Sequence, residues 1–333
     1  MKIIRVFTLS VLLVLQQFVV VHTYFAEEWG LKEQTPEVDQ CDSVILHYDG
    51  KTWSTVYHGF NMWLHDIYGF DDNNIFAISN EGALLHYDGK SWTNIDTGNT
   101  HRFNRIWGSD KDDIYIAGDY GVVLHYDGKE WKKREIGLDD WLSDVRGFHR
   151  DDIFFVGTMG RILNYRGKNW ERHNSGTSSW LYGIWGKDRN NMYVVGDYGT
   201  ILSYNGEEWK KHIQDTNKKL MSIWGTDLNN IFAVGADGTV LHYDGIIWGQ
   251  QISRTDNWLR KIWGIDKNTV FAVGDQGTII HYNGSEWTLH ESGTDHLLSG
   301  IWGNRNDSIY VVGYNPATLY YRISYSPLGA RLR

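Results

Sequence analysis

Trp63, Trp141, Trp180 and Trp258 each stand six residues ahead of a recurring glycine, and each has polar company. Asp139 and Asp140 precede Trp141, Ser178 and Ser179 precede Trp180, Asp256 and Asn257 precede Trp258, and Asn61 lies two before Trp63. A second set of segments pairs acids or amides with aromatics: Asp119-Tyr120, Asp197-Tyr198, Asp237, Asp275-Gln276 and Tyr314-Asn315. A flat apolar ring beside hydrogen-bonding groups is what a sugar needs, and Trp and Tyr are equally the anchors of peptide sites. The same residue types also close turns and cap sheet edges. Both readings stand until the positions of these residues are known.

Other chemistries fare worse. His47, His86, His125, His242 and His281 share one position of a repeat, which invites a metal reading. Equivalent strands of neighbouring units lie about 8 Å apart, given a strand spacing of roughly 4.8 Å, whereas zinc–nitrogen bonds are about 2 Å. Cross-strand histidines with satisfied ring nitrogens are the expectation. Acidic and amide-rich loops (71–74, 110–113, 188–191) offer calcium-type ligands, but without an EF-hand's glycine and terminal glutamate, so no cofactor is expected. The one cysteine, Cys41, has no cysteine or histidine cluster around it. No phosphate loop, dinucleotide fingerprint, Gly-x-Ser-x-Gly or His-Glu-x-x-His is present. Asp139-Asp140 and Asp151-Asp152 are sequence neighbours, which does not make a facing acid/base pair. A net charge of −9 repels phosphate backbones and argues against nucleic acid.

The elements that carry these residues come from a repeat. Ile-Trp-Gly or a variant ends at Gly69, Gly108, Gly147, Gly186, Gly225, Gly264 and Gly303, every 39 residues. His-Tyr-Asp-Gly or a variant ends at Gly50, Gly89, Gly128, Gly167, Gly206, Gly245 and Gly284, with the same period. Each unit holds four short runs of β-branched and aromatic residues bounded by Gly, Asp or Asn, which predicts four strands. Asp-Gly or Asn-Gly between the third and fourth runs predicts a type I′ turn. The chain enters with a third-and-fourth-strand hairpin, residues 44–56, and leaves with a first and second strand, residues 298–312. Pairing those ends in one sheet would close a seven-bladed all-β propeller of four antiparallel strands per blade over residues 44–323. Residues 317–322 compete with 44–48 for the third strand of that blade. Of 17 tryptophans, seven fall in the fourth strand and five in the first, and these twelve are expected to wedge between blades.

Residues 1–26 read as an export signal: Lys2 and Arg5, then an apolar run from Val6 to Val21, then small residues at Thr23 and Ala26. An uncleaved membrane anchor is the alternative. Both place the chain outside the cytoplasm, secreted or periplasmic. Residues 27–43 are then a leader and 324–333 a tail.

Asp-Gly-Lys-Thr-Trp (49–53) and Asp-Gly-Lys-Glu-Trp (127–131) resemble the Asp-box turn of BNR-type propellers, one residue shorter. Ile-Phe-Ala-Val-Gly-x-x-Gly-Thr-Val-Leu-His (231–242) is similar to repeats of exported bacterial propellers, including the photosystem-assembly-factor type. The resemblance covers residues 44–323. It implies an innermost Ile-Trp-Gly strand, with the fourth-to-first and second-to-third connections sharing one working face. It also implies a fold that hosts sialidases, assembly factors and binding modules alike. The arginine triad, Tyr/Glu pair and acid Asp of the sialidases find no matching positions here.

The expectation is therefore a monomeric, non-catalytic binding or assembly module whose partner is a protein or a cell-surface glycan. Its candidate ligand-binding residues are Trp63, Trp141, Trp180, Trp258, Asp119, Tyr120, Asp197, Tyr198, Asp237 and Asp275. A glycoside hydrolase with its site at the central channel mouth is the alternative. Such a site would gather around units 3 and 7, where Arg146, Met159, Arg161, Arg166 and Pro316 break the pattern most.

Overall fold

Twenty-eight strands fall into seven four-stranded antiparallel sheets in a computed structural model that describes residues 43–58, 62–212, 216–304 and 308–315. Blades 1 to 6 span residues 64–95, 103–133, 142–173, 181–211, 220–251 and 259–290, each running from first to fourth strand in chain order. The first strands of neighbouring blades touch all the way round, so they are innermost. Blade 7 joins the two ends of the chain: Ser43–Tyr48 and Trp53–His58 supply its outer strands, Leu297–Gly303 and Ile309–Tyr314 its inner ones. Ser43–Tyr48 pairs in full register with Ile309–Tyr314, from Ser43 against Tyr314 to Tyr48 against Ile309. The N-terminal hairpin thus fills the third-strand place. The competing segment 317–322, the export signal and the leader up to residue 42 lie outside the described residues. No helix among the described residues is long and apolar enough to cross a membrane.

The core sits between blades, and tryptophans form it from both sides. Each fourth-strand Trp packs back on the preceding blade: Trp287 meets Phe232 edge-on at 5.9 Å, and Trp53 meets Phe271 at 6.2 Å. Each first-strand Trp packs forward. A Cβ added at Gly147 would lie 2.2 Å from the ring of Trp107, and one at Gly264 would lie 2.7 Å from that of Trp224. The glycine of Ile-Trp-Gly is there because the previous blade's indole occupies the space a side chain would fill.

Two local expectations are corrected. The third-to-fourth turns are not type I′, because only the glycine of each Asp-Gly or Asn-Gly pair has positive φ, 88° at Gly50 and 93° at Gly206. The acid or amide instead accepts two backbone N–H groups with its side chain: Asp88 from Lys90 and Ser91 (2.9 and 2.8 Å), Asn205 from Glu207 and Glu208 (3.0 and 2.9 Å). An Asx turn outcompetes the tighter hairpin. The histidines are the second correction. His47 reaches Ser308 and His125 reaches Asp113, both at 2.7 Å, but Nε2 of His86, His242 and His281 has no hydrogen-bond partner among the described residues. Those rings lie instead on Phe76, Phe232 and Phe271, with centroids 4.3–4.5 Å apart.

Candidate functional site

Every first strand carries the same irregularity. Its register slips by one residue where it leaves the fourth-to-first connection, as between Leu64 and Asp66 or Leu142 and Asp144. The leucine or phenylalanine before the slip stays buried between blades. The extra residue is re-aimed, which is what a bulge at a barrel rim does. His65, Asn104, Ser143, Tyr182, Met221, Arg260 and Ser299 are these bulge residues, and all seven line a cavity of about 250 Å³ at the channel mouth. Arg102, Trp141, Trp180 and Leu297, two residues before the bulge residue of their blades, line it too, as do Asp119 from a second-to-third connection and Tyr314 at the end of a second strand. Both kinds of connection therefore share this face.

One position beyond the bulge, the first strands carry charge. Arg105 lies between Asp66 (3.6 Å) and Asp144 (3.4 Å), and Lys261 approaches Asp66 at 3.9 Å. The carboxylates also tie blades together: the N–H of Ile106 donates to Asp66 (3.2 Å) and that of Ile184 to Asp144 (2.9 Å). Burial, then the Arg105 charge, pulls the Lys261 ammonium below its usual range. Burial, then Arg102 and Arg105, holds the His65 ring well below the ordinary histidine value, so it is neutral near pH 7. A desolvated charged floor of this kind is fixed in place, since breaking any one pair strands the other ion.

Of the candidate residues, Trp141, Trp180 and Asp119 line the cavity, and several others touch them or their neighbours. Tyr120 meets Trp141 edge-on (6.4 Å, 73°), and Trp141 meets Trp180 edge-on (5.8 Å, 70°). Trp180 touches Tyr182, whose ring carries the Lys219 ammonium at 4.8 Å. Trp258 lies under the Arg260 guanidinium at 4.7 Å, and Trp63 stacks on Tyr314 at 5.7 Å. Trp141 and Trp180 are 40% and 39% exposed, so each leaves a large part of its ring to solvent.

Most of the acids on this face are already engaged. Asp275 grips Arg260 through two bonds (2.7 and 2.8 Å), Asp197 holds Lys219 at 3.2 Å, and Lys218 donates to Asp237. Asp119 accepts from Asn104 at 2.7 Å. Asp237, Tyr120, Met159, Tyr198 and Gln276 sit at equivalent places with φ of 53–55°, each followed by a glycine of positive φ. The N–H of Val122 donates to the carbonyl of Asp119 across this pair (3.1 Å), so the double left-handed turn expected of Asp-Gly is found here instead. Arg102 differs from its neighbours: its carbonyl accepts from the N–H of Asp119 (3.1 Å), but its side chain is exposed and its guanidinium has no hydrogen-bond or ion-pair partner among the described residues.

The pattern-breaking residues of blade 3 do not gather. Arg146 reaches Gly186 in the next blade (3.3 Å), Arg161 pairs with Asp140 (2.6 Å), and Arg166 binds Asn164 near the outer hairpin (2.7 Å). Pro316 lies outside the described residues. The acidic loops close on themselves as Asx turns, Asp71 binding Asn73 and Asn74, and Asp188 binding Asn190 and Asn191. No group of three or more His, Cys, Asp or Glu poised for a metal occurs among the described residues. Sequence reasoning missed the bulge ring. Its signal was there as a repeat position whose residue differs in nearly every unit.

No protein-family model matches the sequence, and no curated protein matches it. The structure, in contrast, has many neighbours among solved structures. The one described as YCF48 from Cyanidioschyzon merolae superposes with a TM-score of 0.64 at 15% identity, covering 80% of this chain and all of that one. Another, described as YCF48 bound to D1 peptide, gives 0.62 at 15% identity, covering 76% of this chain and 92% of that one. What is shared is the fold.

Proposed function

We propose that this propeller is a non-catalytic binding or assembly module, working outside the cytoplasm, that holds a segment of a partner protein at the mouth of its axial channel. The observation that carries the reading is Arg102, an unpaired guanidinium on the cavity that Trp141 and Trp180 also line. Every carboxylate near it that faces a cation is spent on another residue, so Arg102 is left to an anionic group of the partner. A cation beside exposed tryptophans is the composition of protein-recognition hot spots. That a propeller of similar fold has been solved with a peptide bound supports the same choice. Glycoside hydrolysis draws less support, since it uses two carboxyl groups about 5–10 Å apart facing one cavity. Asp119 is the one carboxylate among the described residues lining the mouth.

Selection of short linear peptides from a displayed library against the full chain tests this. The expected result is a family of peptides whose affinity falls about tenfold in Arg102→Ala, the scale of a hot-spot contact, at an unchanged thermal midpoint. Failure to select any peptide, alongside binding on a glycan array, would contradict it.

A further inference from the structure

We infer that the partner segment crosses the rim in extended conformation, with apolar side chains at alternate positions packed against the rings of Tyr120, Trp141 and Trp180. The inference rests on the mouth being a polypeptide site and adds what kind of polypeptide fits. Three successive blades present these rings, which are 57%, 40% and 39% exposed. Their centroids step by 6.4 and 5.8 Å. Side chains on one face of an extended chain recur every ~6.7 Å, so one residue in two meets each ring. A helix is roughly 10–12 Å across with its side chains and would ride above a cavity of about 250 Å³. One side of an extended segment enters it.

Ring orientation separates a peptide from a sugar chain. Successive rings meet at 73° and 70°, so their exposed faces turn from one another along the rim. Such separate facets take single side chains, whereas a row of pyranoses calls for coplanar exposed faces. Backbone conformation points the same way. Tyr120, Met159 and Tyr198 occupy left-handed turn positions at φ 55°, 54° and 55°, where glycine or asparagine is the relaxed choice. Met159 and Tyr198 are 67% and 78% exposed, so this strain does not serve to bury them. The same turn recurs at Asp237 and Gln276, so the fold sets the backbone, and in blades 2 to 4 it carries large side chains held out in solvent.

The test is a calorimetric alanine scan along a peptide selected by the full chain, repeated against Trp141→Ala and Trp180→Ala. The expected result is a loss of about tenfold at two or three alternate apolar positions and less than about twofold at those between. Against each Trp variant the losses at the matching positions should shrink, which reports contact rather than misfolding. Losses spaced three or four apart would mean a helix, and uniform losses would mean no register; either overturns the inference while Arg102-dependent peptide binding leaves the parent reading standing. Selection of no peptide, with oligosaccharides bound instead, overturns both.

Discussion

Gly147 carries no side chain because Trp107, one blade earlier, has taken its place. The rule holds in the two blades whose first strand lacks tryptophan. Tyr68 and Arg146 stand at the Trp position there, and Phe70 and Phe148, two residues on, reach forward to Gly108 and Gly186 instead, within 2.5 and 2.7 Å of an added Cβ. Ring and glycine are therefore one unit split across two blades. Gly147→Ala drives a methyl group into a buried indole and should cost roughly 1–3 kcal/mol, the range for overpacked cores. Urea denaturation measures it, and adding Trp107→Leu should recover part of the loss. An unchanged midpoint in the single variant would mean that the blades do not lock this way.

The strand is the scale at which the sequence was most legible and also where it misled. A constant period and β-rich runs announced four strands per blade, and the out-of-phase ends announced the closing hairpin. Asp-Gly suggested a type I′ turn because both residues tolerate positive φ, yet the side chain of Asp88 or Asn205 binds backbone N–H groups better than its own backbone can bend. The bulge stayed hidden because every blade has it, so it leaves the period untouched. Tyr120 and Trp141 were visible by type, but their edge-on contact needed the turn geometry that positions them.

Third-strand histidines bring a further consequence. Burial lowers the ring pKa of His86, His242 and His281, and His290 helps push His281 down to about 4. The unfolded chain binds protons on these rings near pH 6.5 while the native one does not, so stability is full above that value. It falls as the pH drops from about 6.5 toward about 4. Replacing the three with asparagine, which blade 3 carries at the same place as Asn164, removes the titration. The loss of urea midpoint between about pH 7 and about pH 5 should shrink in the triple variant. An equal loss in both proteins would assign the acid sensitivity elsewhere.

Taken as a whole, the molecule is a repeat that closes on itself and then uses its least repetitive residues. Equivalent wedges of an aromatic ring on glycine, and Ser43–Tyr48 laid along Ile309–Tyr314, hold seven sheets around one axis. Bulges then turn seven side chains of six kinds, from His65 to Ser299, into one cavity. Closure makes the frame stiff, and the unlike residues make its mouth specific. Hydrogen exchange of the full chain with and without a saturating selected peptide puts that division of labour to the test. Slowed exchange confined to the second-to-third turns and fourth-to-first connections of blades 2 to 4 is the predicted result. Protection on the outer hairpins, with the mouth unchanged, would contradict it.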